Sequence, residues 1–205
     1  MLDPVLRRWV DPPLNRAGAW LAGRGVPADA VTLAGLAVGL VTVPLLGGGH
    51  YGAALLVILL NRLIDGLDGA IAQQDGPTPL GGYLDIVCDM AFYAAVPVGF
   101  ALASPTNALW AALLLASFVC TATSFLGRAI VAAQRAEPDD GAHGRKSFFY
   151  AAGFIEGSET ILAFLLFCLF PSAFPWLAGL FATLCFWTAA ARVVQTYRST
   201  SCGRR

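Results

Sequence analysis

Charge is what this chain has least of: 13% of its 205 residues are Asp, Glu, Lys or Arg, against roughly a quarter in a soluble domain. What charge there is balances, 13 basic against 13 acidic residues. A net charge of zero gives no reason to propose nucleic acid as a partner. Pairing among the five cysteines is also lacking. Cys88, Cys120, Cys168, Cys185 and Cys202 form no C-x-x-C pair, and no histidine stands at ligand spacing. A zinc site and a disulfide framework are therefore not expected, and the four cysteines inside apolar stretches read as small apolar residues. The sequence shows no internal repeat, no low-complexity segment and no cleavable signal peptide at its start.

Apolar residues fill the space left by charge. They make up 57% of the chain, and its mean hydropathy is +0.67. They fall in stretches near the roughly 20 residues needed to cross a bilayer. Six spans are expected, at 29–47, 51–73, 82–103, 107–132, 147–170 and 174–196, separated by Gly, Pro, Asp and Ser turn residues. The expected fold is all-α: a polytopic membrane bundle of six transmembrane helices with an N-terminal amphipathic surface segment. Residues 1–28 form that segment, mixing Arg7, Arg8, Arg16 and Arg24 with Trp9, Trp20 and leucines, and Pro12-Pro13 predicts an interruption in it. Residues 29–198 form the membrane domain, and 199–205 a short basic tail. The loops near 48, 105 and 172 hold no Lys or Arg, whereas the N-terminal arm, the fourth-to-fifth loop and the C-terminus do. Both termini are therefore expected on the cytoplasmic side.

The acidic residues are not scattered. Asp65 and Asp68 stand three apart in the second span, and Asp85 and Asp89 four apart in the third, so each pair shares a helix face. A short loop joins the two spans, which sets all four carboxylates near the cytoplasmic ends of adjacent helices. Ionised groups in a bilayer cost several kcal/mol each unless they neutralise or find partners. Arg62, one turn from Asp65, compensates a single charge. A divalent cation is the natural remaining partner, and oxygen ligands without Cys or His point to Mg²⁺, Mn²⁺ or Ca²⁺. Gly66 and Gly69, followed by Ala70 and Ala72, make a strip of small residues that suits close helix packing and also the approach of a ligand.

Together these residues resemble the CDP-alcohol phosphotransferase family, whose motif reads D-x2-D-G-x2-A-R-x8-G-x3-D-x3-D. Here the run is Asp65-x2-Asp68-Gly69-x2-Ala72-Gln73-x7-Gly81-x3-Asp85-x3-Asp89. All four aspartates, both glycines and the alanine match over 25 residues, and the number of spans agrees. Gln73 replaces the family's arginine, and the connecting stretch is one residue shorter, a change a loop absorbs cheaply. A weaker likeness is Gly144-Arg145-Lys146-Ser147, which reads equally as a positive-inside flank or as cations near a headgroup or diphosphate.

The resemblance implies an Mg²⁺-dependent transferase of phospholipid biosynthesis in a bacterial inner (cytoplasmic) membrane. A phosphatidyl or phospho-alcohol group would pass from CDP-diacylglycerol or another CDP-alcohol to an alcohol acceptor, with release of CMP. It implies a metal site of Asp65, Asp68, Asp85 and Asp89, with the first three bridging the ion to the donor's diphosphate and Asp89 also the general base. It also implies a nucleotide site at Asp65, Asp68, Gly69, Ala72, Gly81 and Asp85. Glu156 and Glu159 inside the fifth span fit an acceptor pocket or an interhelical lock with Arg128 or Arg192. Arg128, Arg145, Lys146 and Arg192 would suit an anionic acceptor. Gly- and Ala-rich helices suit a homodimer. Two other readings stay open at this point: a non-catalytic relative, for which Gln73 speaks, and a transporter coupled to a divalent cation or protons.

Overall fold

The computed structural model describes residues 3–134 and 157–202, and every regular element among them is a helix. In chain order they are α1 (Asp3–Ala22), α2 (Ala28–Leu40), α3 (Thr42–Gly47), α4 (Tyr51–Asp75), α5 (Pro79–Ala103), α6 (Ala108–Gln134), α7 (Gly157–Leu169) and α8 (Phe174–Cys202). Two 3-10 turns, Pro105–Asn107 and Pro171–Ala173, lead into α6 and α8.

Among the described residues, four stretches are long and apolar enough to cross a membrane: Ala28–Gly47, Pro79–Ala103, Pro105–Gln134 and Pro171–Ser199. They correspond to the expected first, third, fourth and sixth spans. The expected second span is α4, whose 25 residues suffice in length, but Arg62, Asp65 and Asp68 put three charges within seven residues of it. Of the expected fifth span, α7 supplies Gly157–Leu169, and the part before it lies outside the described residues.

The first apolar stretch is divided at Val41, between α2 and α3. Pro44 has no N–H to offer the Leu40 carbonyl, and the Thr42 hydroxyl donates to the Gly39 carbonyl at 2.7 Å. The expected interruption at Pro12-Pro13 is not there, since α1 runs through both prolines. A proline inside a helix costs about 3 kcal/mol, and here tertiary packing overrides it. Leu14 covers Gly66 of α4, and Gly18 lies so close to α4 that a Cβ on it would come within 2.6 Å of the Ala70 Cβ.

Between α4 and α5 the chain turns in three residues. Gly76 takes a positive φ of 93°, which glycine adopts without steric cost. Thr78 then caps α5, its Oγ1 accepting from the Gly81 N–H at 2.9 Å, with Pro79 in the first helical turn. This short turn returns the chain so that side chains of the first half of α5 reach those of the second half of α4.

Away from that turn, the bundle is held by aromatic packing. Phe92, Phe100, Phe164, Phe167 and Phe174 are all buried to within 1%, and the Phe100 and Phe174 rings stack at 4.3 Å. Outside, Leu56, Leu102, Leu109, Trp176, Leu180 and Trp187 are exposed. In water so wide an apolar surface would be a liability; around a bundle of this hydropathy it is the surface that meets lipid.

Candidate active site

The lower half of α4 and the first half of α5 face each other across the Gly76–Thr78 turn. Asp65 and Asp68 come from one helix and Asp85 from the other. Each offers a carboxylate oxygen, and these oxygens lie within 4.8 Å of one another. Asp68 is 5% exposed, and its Oδ2 is buried without a hydrogen-bond partner. Three acidic oxygens at that spacing repel one another unless a cation joins them, and an orphaned buried carboxylate oxygen costs free energy that a ligated cation recovers. Hard anionic oxygens with no thiolate or imidazole beside them suit Mg²⁺ or Mn²⁺. The residues present fit such an ion.

Asp89, the fourth motif aspartate, is held differently. Its Oδ1 accepts from Arg62 Nη1 at 3.0 Å, and the same nitrogen reaches Asp65 Oδ2 at 3.4 Å. Arg62 is in turn fastened on its other edge. Its Nε and Nη2 both donate to Asn61 Oδ1, at 2.9 and 2.6 Å, and its guanidinium lies over the Phe92 ring, 4.7 Å from the centroid. A cleft opens over this group, lined by Thr32, Gly35 and Leu36 of α2, by Asn61, Arg62, Asp65 and Asp68 of α4, and by Cys88 and Asp89 of α5.

The small residues of the motif divide their roles by position. A Cβ on Gly69 would meet nothing within 4 Å, so this face of α4 is open beside the carboxylates. A Cβ on Gly66 would meet Leu14 Cδ1 at 2.7 Å, so that face is packed. One on Gly81 would crowd Thr78 Oγ1 at 3.0 Å and Asp29 Oδ1 at 3.2 Å. Ala72 is half-buried one turn on from Asp68, and Gln73 beside it is exposed.

Among the remaining candidates, Arg192 of α8 is 6% exposed. Its Nη1 donates to the Thr121 carbonyl of α6 at 3.4 Å, and its guanidinium sits 5.8 Å from the Phe125 ring centroid. Arg128 is half-buried on α6. Glu159 lies in the first turn of α7, where Oε2 accepts from Ser158 Oγ at 3.0 Å. Arg145, Lys146 and Glu156 fall outside the described residues. The sequence reading passed over Thr32, Gly35 and Asn61. A buried amide in an apolar stretch beside an arginine was the available signal for Asn61; α2 reaches the site through tertiary packing, which no local spacing announces.

Comparison with known proteins bears on this arrangement. The family model described as CDP-alcohol phosphatidyltransferase matches residues 26–195. The chain is 47% identical over 198 residues to the inner membrane protein YnjF of Escherichia coli K12, covering 96% of each. It is 33% identical over 144 residues to the archaetidylinositol phosphate synthase of Methanothermobacter thermautotrophicus, covering 65% of this chain and 69% of that one. In fold it is similar to the phosphatidylinositol phosphate synthase PgsA1 of Mycobacterium tuberculosis in two crystal structures. The one with CDP-DAG bound gives a TM-score of 0.73 at 22% identity over 90% of this chain and 93% of that one. The one in complex with manganese and citrate gives 0.65 at 22% identity over 90% and 88%. The match spans α2 to α8, and the four aspartates that the motif requires stand in it, on facing helices: the chain is a CDP-alcohol phosphotransferase by family, and phospholipid biosynthesis is the chemistry to which it belongs.

Proposed function

We propose that this protein transfers a phosphatidyl group from CDP-diacylglycerol to an alcohol acceptor and releases CMP, using Mg²⁺ or Mn²⁺. The observation that carries the reading is the grouping of Asp65, Asp68 and Asp85 within 4.8 Å beside an orphaned buried oxygen, with Asp89 held next to them by Arg62. Asp65, Asp68 and Asp85 hold the ion. Such an ion, when bound, supplies charge neutralisation to the donor's diphosphate and to departing CMP. Open space over Gly69, with Ala72 and Gly81 near it, leaves room for the cytidine nucleotide. Asp89 takes the proton of the acceptor hydroxyl as that oxygen bonds to the β-phosphorus and the bond from that phosphorus to the CMP oxygen breaks.

Around this site we place six spans, with α4 as the second and α7, extended toward residue 147, as the fifth. Residues 1–28 are the surface segment, 29–198 the membrane domain and 199–205 the tail. Both termini and the site face the cytoplasm of a bacterial inner membrane, where soluble CDP and CMP species meet lipid. The cations Arg128 and Arg192, together with Arg145 and Lys146, favour an anionic acceptor. Relatives named as inositol phosphate lipid synthases make inositol phosphate the first acceptor to try.

The test is CMP release by purified protein from CDP-diacylglycerol, across inositol phosphate, glycerol 3-phosphate, inositol and serine. Release that one acceptor stimulates, that EDTA stops and that Mg²⁺ restores is the expected result. Release indifferent to EDTA, or none with any acceptor from folded protein, contradicts the reading.

A further inference from the structure

We infer that Asn61 is a positioning residue for the transfer: it clamps Arg62 so that a single guanidinium nitrogen is presented to Asp89. The inference rests on the reading of Asp89 as the group that accepts the acceptor's proton, and extends it to a residue outside the aspartate motif.

The orientation of the Asn61 amide follows from its neighbours. A guanidinium only donates and a backbone carbonyl only accepts. The oxygen must therefore face Arg62 and the nitrogen must face α2. Oδ1 receives Arg62 Nε and Nη2 at 2.9 and 2.6 Å, and Nδ2 donates to the Gly35 carbonyl at 2.8 Å. Asn61 is 3% exposed, so water does not compete for these bonds.

Adjacent residues on a helix do not normally face each other. Arg62 and Asn61 are nevertheless joined by two hydrogen bonds, and Phe92 supports the guanidinium from its face. Nη1 is left for the carboxylates, on Asp89 at 3.0 Å and Asp65 at 3.4 Å. Room for the clamp comes from Gly39, where a Cβ would lie 2.8 Å from Asn61 Nδ2 and 2.7 Å from Phe92 Cδ2. The anchor of Asp89 is thus the α2 backbone, through Asn61 and Arg62 in series. A flexible arginine would let the Asp89 carboxylate swing toward the other three aspartates; a clamped one keeps it on the side where an acceptor hydroxyl can approach.

The test is a cycle of Asn61→Leu, Arg62→Ala and the double variant, with Asn61→Ala as a smaller alternative and thermal unfolding recorded for each. CMP release from CDP-diacylglycerol is measured with the acceptor the wild type prefers. Mn²⁺ binding is measured separately, without turnover, by the spin-resonance signal of the free ion. Removing the clamp is expected to lower kcat about 10- to 100-fold, the scale of an ångström-level misplacement. KM for the donor and Mn²⁺ affinity should stay within about threefold of wild type, as expected for a residue that acts on the transition state. Because Asn61 acts through Arg62, the double variant should be no slower than Arg62→Ala. Losses that multiply in the double variant, or an Asn61→Leu protein as folded and as fast as wild type, overturn the inference. Full activity in Asp89→Asn overturns instead the reading on which it rests, so the two failures are told apart.

Discussion

A methyl group added at Gly66 would meet Leu14 at 2.7 Å, whereas one added at Gly69 would meet nothing within 4 Å. Two glycines three residues apart on one helix therefore serve packing and ligand access separately, as the strip of small residues suggested without assigning which did which. Gly69→Leu should leave thermal stability within about 0.5 kcal/mol of wild type, as surface substitutions do. Its KM for CDP-diacylglycerol should rise about tenfold or more, near 1.4 kcal/mol of lost binding. A donor KM unchanged in that variant would remove Gly69 from the nucleotide site. Gln73, the departure from the family motif, is exposed at the end of α4. No packing stands in the way of a longer side chain there. Gln73→Arg should fold with equal stability and release CMP at least as fast as wild type; a slower variant would mean that the glutamine serves this chain's own substrate.

At the scale of elements, the α4–α5 hairpin was legible in the sequence because each step is local. The spacings 65/68 and 85/89 put each pair on one face, and Gly76, Thr78 and Pro79 supply a turn, a cap and a helix start within four residues. What escaped the sequence is what distant elements bring. Helix α2 carries Thr32 and Gly35 to the cleft by packing on α4, and the Asn61 amide gains its meaning from the Gly35 carbonyl. Helix α1 escaped for the same reason: its prolines predict a break, and contact with α4 keeps it whole. That contact is tight enough to test. A side chain at Gly18 would press on the Ala70 backbone at 2.9 Å, so Gly18→Leu should cost about 1–3 kcal/mol by overpacking. Unfolding in detergent at the wild-type temperature would show that α1 does not brace α4.

Among the described residues, many large exposed side chains are apolar, Trp176, Trp187, Leu102 and Leu109 among them. The aromatic core reaches the acidic group at Phe92, whose ring lies under the Arg62 guanidinium, and the cleft opens on the other side of that arginine's partners. The general shape followed from hydropathy alone, since a bilayer leaves helices as the way for such segments to satisfy their backbone. The sidedness we propose rests on the basic residues: the first, third and fifth connections lack them, whereas the N-terminal arm, the fourth connection and the C-terminus carry them. A green fluorescent protein fused to the C-terminus should fluoresce, and an alkaline phosphatase fused there should be inactive. The opposite pair of results would put the aspartates on the wrong side for a cytosolic nucleotide.

The central claim is a division of labour, three aspartates holding an ion and a fourth moving a proton. It is tested most directly by Mn²⁺ binding and CMP release in the same three proteins: wild type, Asp68→Asn and Asp89→Asn. Asp68→Asn should lose Mn²⁺ affinity by about 10- to 100-fold and lose turnover with it. Asp89→Asn should bind Mn²⁺ within about threefold of wild type while CMP release falls by about 10²- to 10⁴-fold, the range for a lost acid–base group. An Asp89→Asn protein that turns over normally, or one that loses Mn²⁺ as Asp68→Asn does, would contradict that division.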